Sequence, residues 1–438
     1  MQPFSLKLLK SSNCKVRSGF LFPLAFCFLS VGFYIPPHFS LPVVAQTTDA
    51  RQAEADRLMR QGNQQYQTSQ LRAALNSWQQ ALQIYRALKN RQGEGRALGS
   101  LGIAYVYLGD YAKAIEYAQQ YLAIARSIKD RLGEGTALGN LGAAYLYLGD
   151  YAKAIEYSQQ YLAIARALKN RQGEGTALGN LGAAYLYLGD YAKAIEYSQQ
   201  YLTIARSIKD RLGEGRALGN LGAAYLYLGD YAKTIEYSQQ YLTIARSIKD
   251  RLGEGTALGS LGIAYVYLGD YAKAIEYSQQ YLAIARSIKD RLGEGTALGN
   301  LGVAYRSVGD YAKAIEYAQQ YLAIARSIKN RLGEGTALGY LGGAYLYLGD
   351  YAKAIEYSQQ YLTIARSIKN RLGEGTALGY LGAAYRSVGD YAKAIEYSQQ
   401  YLTIARSIKN PEGEGTALGY LGGAYLYLGD YAKAIEYS

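Results

Sequence analysis

The stretch that decides the fold is Gly173–Leu212, GEGTALGNLGAAYLYLGDYAKAIEYSQQYLTIARSIKDRL. The same forty residues, barely altered, begin again at Gly93, Gly133, Gly213, Gly253, Gly293, Gly333, Gly373 and Gly413. A fixed period of this length marks a repeat array, in which each unit buries its apolar face against its neighbours. Within one unit, Leu178, Leu181, Tyr185 and Leu188 fall on one helical stripe, and Tyr191, Ile195, Ser198, Leu202 and Ala205 on a second. Gly189-Asp190 separates them, the glycine ending one helix and the aspartate capping the next.

The opposite boundary is set by one deviant unit, which reads Asn410-Pro411-Glu412. Proline is disfavoured inside a helix but accepted at its first position behind an Asn cap, so the first helix of each unit, helix A, starts at 411, 171 and 211. Each unit is therefore a hairpin of two helices of about seventeen to nineteen residues. Helix A carries Gly173, Gly175, Gly179 and Gly182, whereas helix B carries none. Glycine weakens a helix by roughly 0.5–1 kcal/mol relative to alanine, so helix A depends on stacking.

Leu178, Leu181-Gly182, Tyr185, Gly189-Asp190-Tyr191 and Ala194 resemble the tetratricopeptide-repeat signature. The forty-residue unit and its LGNLG and IAR stretches are similar to the longer variant of Pins-like regulators, kinesin light chains and bacterial exported proteins. The resemblance covers about 53–438 and implies an all-α, right-handed superhelical solenoid of antiparallel helix pairs. Ser198 and Tyr201 depart from the family pattern, which prefers an aromatic and then a small residue there.

Residues 1–45 read as a signal peptide: Lys7, Lys10, Lys15 and Arg17 precede an apolar stretch over 19–35, and Val43-Val44-Ala45 offers a cleavage site. The apolar stretch is short of the about 20 residues a spanning helix needs, and Pro23 interrupts it. The expectation is export to the periplasm or beyond, the alternative an uncleaved membrane anchor at residues 19–35. Both cysteines (Cys14, Cys27) and the single histidine (His38) lie in that leader. Of the formal charge of +12, the leader carries +4 and residues 46–92 another +4, so the repeats are close to neutral. No basic stripe follows them, which argues against nucleic acid. Residues 46–92 hold a divergent, polar first repeat, 93–412 eight near-identical units, and 413–438 a shortened last one. That last unit lacks the equivalents of Tyr401, Leu402, Ile404 and Ile408 and reads as an uncapped end. Copies could associate through it; the oligomeric state is otherwise open.

GEGTALG lacks the strand and glycine spacing of a dinucleotide loop, so its glycines read as packing devices. Glu174, Asp190 and Glu196 recur identically in unit after unit, so no catalytic, cofactor or metal site is expected. The informative positions are those that vary. The resemblance places Thr176, Gly179, Asn180, Ala183, Leu186 and Tyr187 on a concave wall made by helix A. The Asn180 site reads Asn140, Asn220 and Asn300 in other units but Tyr340, Tyr380 and Tyr420 towards the C-terminus, with Ser100 and Ser260 in the remaining two. Leu186-Tyr187 becomes Arg306-Ser307 and Arg386-Ser387. Tyr and Arg dominate binding hot spots, so these residues predict a groove for a neutral or acidic protein or peptide, extended or helical. Gly179-type positions are expected to admit the ligand backbone, and Lys193 to be a bystander on the outer face. The rival reading is the recognition half of a longer protein with a downstream, caspase-like catalytic domain.

Overall fold

The computed structural model describes residues 48–68 and 70–438, which form twenty α-helices and no strand. The leader lies outside the described residues. Two compact units result, and each is an all-α solenoid of helical hairpins. The first unit, described from residue 48 to Leu148, contains α1 (Thr48–Gln67), α2 (Leu71–Ala87), α3 (Arg91–Tyr107), α4 (Tyr111–Ser127) and α5 (Arg131–Leu148). The second, Gly149–Ser438, starts with α6 (Tyr151–Ala167). There follow α7 (Arg171–Leu188), α8 (Tyr191–Ser207), α9 (Arg211–Leu228), α10 (Tyr231–Ser247), α11 (Arg251–Tyr267), α12 (Tyr271–Ser287) and α13 (Arg291–Ser307). The last are α14 (Tyr311–Ser327), α15 (Arg331–Leu348), α16 (Tyr351–Ser367), α17 (Arg371–Ser387), α18 (Tyr391–Ser407), α19 (Pro411–Leu428) and α20 (Tyr431–Glu436). Odd numbers are helices A and even numbers helices B.

The helix boundaries follow from local chemistry. Asn170 Oδ1 accepts the N–H of Gly173 at 3.0 Å, and Asp190 Oδ1 that of Lys193 at 3.2 Å, satisfying orphan donors at the two helix starts. Pro411 stands at the first turn of α19 behind the Asn410 cap, as expected. Gly189 ends α7 in the left-handed region at φ +89°. The other turn places Lys209 there instead, at φ +58°. Its N–H and that of Asp210 bond back to the carbonyls of Arg206 and Ala205.

The glycines of helix A are seats for helix B side chains. A Cβ on Gly175 would stand 3.3 Å from the Tyr201 ring, and one on Gly179 only 2.8 Å from it. Ser198 Oγ presses on Gly182 in the same way. These are the two positions that depart from the family pattern, so the swap of large and small residues is answered by glycine on the partner helix. Leu178, Leu181, Ala184, Leu202 and Ile204 complete the buried core around them.

Successive hairpins are tied by ions. Glu174, buried at the start of α7, takes Arg166 Nε at 3.0 Å from the preceding helix and Arg171 Nη1 at 2.6 Å. Arg166 also donates to Gln200 Oε1 at 3.2 Å, one hairpin further on. The recurrent glutamate of GEG is thus a structural clamp.

Candidate functional site

In the unit Gly149–Ser438, the A helices α7, α9, α11, α13, α15, α17 and α19 each touch the next, whereas neighbouring B helices do not pack on one another. A row of hairpins in contact on one side and splayed on the other curves towards the contact side, so helices A line its inner wall. Burial raises the pKa of Tyr267 on α11, with smaller contributions from Tyr231 and from Glu412 on α19. Burial in this interior pushes the Tyr340 hydroxyl up to about 12, with the nearby Arg306 charge opposing it.

The residues singled out by variation separate into three groups. Asn140 lies in the other unit, where its Nδ2 donates to the Gly99 carbonyl at 3.4 Å. Asn300 does the same to Gly259 at 3.4 Å and is buried. Asparagine here ties one A helix to the previous one, a packing role alongside any binding role. Asn180 and Asn220 are half-buried on the same row.

The tyrosines and arginines assemble into two clusters. In the first, Arg306 Nη1 and the Tyr380 hydroxyl both lie 3.1 Å from where a Cβ on Gly343 would be. Tyr340 lies beside them, its ring 6.4 Å from that of Tyr321 and resting on Gly299. In the second, Arg386 Nη1 lies 2.8 Å from a Cβ position on Gly423, and its guanidinium sits 5.5 Å above the Tyr420 ring. Next to it, Arg386, Ser387, Tyr391 and Tyr427 line an open recess of about 390 Å³.

One expectation needs correction. Gly179 is not open to a ligand backbone, because Tyr201 of its own hairpin fills the space beside it. Lys193 is exposed, and within its own hairpin its Nζ lies 4.9 Å above the Tyr185 ring and 3.1 Å from Asp190 Oδ2.

Gly343 and Gly423 are not among the expected groove residues, although the sequence carries a signal for them. Only these two units carry glycine at that position, and each directly follows an Arg-Ser unit. The serines matter too. In regular units a tyrosine at this site stacks on the preceding hairpin, as Tyr187 does on Tyr151 at 5.6 Å and Tyr227 on Tyr191 at 5.5 Å. Ser307 and Ser387 remove that ring opposite Tyr271 and Tyr351 and bond back to their own helices.

Comparison with known families bears on the hairpin repeat itself. The tetratricopeptide-repeat profile matches residues 54–127, 130–207, 213–287, 282–327, 293–367, 333–407 and 373–438. The chain belongs to the tetratricopeptide-repeat family. No curated protein matches the sequence. Among solved structures, a Rap protein complexed with Competence and Sporulation Factor is similar, with a TM-score of 0.59 at 14% identity over 83% of this chain and 99% of that one. The apo quorum sensor NprR from B. thuringiensis gives 0.54 at 14% identity, covering 78% and 99%. A signal-transduction ATPase with a tetratricopeptide-repeat sensor from Pyrococcus horikoshii gives 0.56 at 18%, covering 74% of this chain. The chain spans about half of that protein, 52%. At these identities the likeness to each solved structure is one of fold. In this tetratricopeptide-repeat chain, no described helix is long and apolar enough to cross a membrane. Nor is any group of three or more His, Cys, Asp or Glu among the described residues placed to hold a metal ion.

Proposed function

We propose that this tetratricopeptide-repeat protein is a non-catalytic interaction scaffold, exported after loss of residues 1–45, that binds a polypeptide segment along its inner wall. The observation that carries the reading is the side-by-side row of helices A on which Tyr340, Tyr380 and Tyr420 occupy one position in successive hairpins. Aromatic side chains give large contact area for little entropy loss, and here they replace asparagine without breaking the register of the array. The complex of a Rap protein of like fold with Competence and Sporulation Factor supports a binding role. The Pyrococcus protein, in which a repeat sensor is joined to an ATPase, supports a second reading. On that reading the chain is the recognition part of a longer protein, for which a caspase-like partner domain is one form.

The test is selection of displayed peptides on the chain from residue 46, followed by measurement against the Tyr380→Asn/Tyr420→Asn variant. Loss of at least tenfold in affinity, with the helical circular dichroism unchanged, supports the groove. Undiminished binding places the peptide elsewhere and sinks the reading. N-terminal sequencing of the mature protein tests export: an intact residue 1 replaces export with anchoring.

A further inference from the structure

We infer that Arg306 and Arg386 head two copies of one carboxylate-binding site, so that the groove takes an acidic polypeptide segment gripped at two points. The inference rests on the groove reading above and names the chemistry of its partner. Its first support is that three substitutions travel together, twice. Leu becomes Arg and Tyr becomes Ser in the units beginning at Gly293 and Gly373, and Gly appears at 343 and 423 in the units that follow. The fold brings all three to one place. Each glycine lies directly under the guanidinium of the preceding unit, with Nη1 at 3.1 Å and 2.8 Å from the two Cβ positions. An alanine, which other units carry there, would push on the guanidinium. The serine stands where other units carry a stacked ring, and Ser387 lines the open recess together with Arg386.

The second support is electrostatic. The arginines of the hairpin ties meet a glutamate, as Arg166 and Arg171 meet Glu174. Arg306 and Arg386 are half-buried and, among the described residues, have no carboxylate partner. A partly desolvated, unpaired guanidinium is costly, and its planar fork matches a carboxylate. Tyr380 beside Arg306 adds a hydroxyl donor, and Tyr420 holds the Arg386 plane by its ring face.

Spacing makes the site bivalent. α13, α15 and α17 touch in sequence, so equivalent residues two hairpins apart are separated by roughly 16–20 Å, twice the usual distance between packed helices. An extended chain covers that span in about five or six residues at its maximum rise per residue. The partner is thus a stretch of polypeptide with two acidic side chains at about that interval.

Fluorescein-labelled Gly/Ser/Tyr peptides of equal length test this directly by anisotropy, with none, one or two glutamates, the pair set two, six or twelve residues apart. The six-residue pair is expected to bind at least tenfold more tightly than a single glutamate or either other spacing. Arg306→Leu and Arg386→Leu should each reduce it to the single-glutamate level, and Gly343→Ala and Gly423→Ala should weaken it with the charge retained. Affinity that ignores glutamate number, or survives both arginine substitutions while still requiring Tyr380 and Tyr420, overturns the inference and leaves the groove standing. Failure of every peptide to bind at millimolar concentration overturns both.

Discussion

The ring of Tyr201 lies across Gly179 of its own hairpin, so close that a Cβ there would stand 2.8 Å from Cε1. The ring is buried, and its other edge lies against Gly175. Gly179→Ala should therefore destabilise by roughly 1–3 kcal/mol, the usual cost of overpacking. The equivalent Gly419 has nothing within 4 Å on its exposed face. Gly419→Ala should instead stabilise by about 0.5–1 kcal/mol through helix propensity alone. Opposite shifts of the urea midpoint check the pair; equal shifts would show that the Tyr201 seat plays no part.

Five serines, Ser158, Ser198, Ser278, Ser358 and Ser398, bury an Oγ without a hydrogen-bond partner. Alanine already stands at the same position in Ala118 and Ala318, both buried. Ser198→Ala should stabilise by about 1 kcal/mol, since a buried hydroxyl left unsatisfied costs at least that much. A lowered midpoint would mean that the hydroxyl has a partner after all.

The turn residue Lys209 adopts a left-handed backbone at φ +58°, as do its eight counterparts from Lys89 to Lys409. That conformation costs a residue with a Cβ roughly 1–2 kcal/mol, though Gly loses more entropy on folding. Lys209→Gly should yield a net gain of about 0.5 kcal/mol with the N–H bond to Arg206 retained. Thermal melts of single and multiple turn variants would show whether the gain accumulates along the array.

Stability should fall at both extremes of pH, for different groups. Burial raises the folded-state pKa of Tyr241 to about 12, and raises those of Tyr281, Tyr321 and Tyr361 as well. Because the fold favours the neutral phenol, this contribution is complete below the ordinary value near 10 and is lost as pH climbs towards the folded values. Loss of helicity should thus set in above pH 10 and accompany ionisation of these buried tyrosines. At the acid end the caps Asp190, Asp230 and Asp350 have lowered pKa values, chiefly from the backbone N–H they accept. Their contribution is present above their ordinary pKa of 3.8 and disappears as pH drops below it. Full helicity at a pH where every tyrosine has ionised would contradict the buried-tyrosine account.

The sequence by itself determined the hairpin, its caps and its period. Gly189-Asp190 and Asn410-Pro411 act through bonds to residues three or four places away, and the stripes of Leu178 and Leu202 follow helical geometry. Repetition made these local signals stronger still. Arg306 and Arg386 could be picked out as unusual on the same basis, because they break an otherwise constant position. Their setting could not. Whether Gly179 faces a ligand or the Tyr201 ring depends on how helix B lies across helix A, a packing choice made by side chains more than twenty places apart. That Arg306 comes to rest on Gly343, with Tyr380 beside it, depends on the stacking of three successive hairpins. A period states that units stack. Only the angle and depth of the stack, set by the glycine seats and the Arg166–Glu174 tie, decide which side chains meet across it.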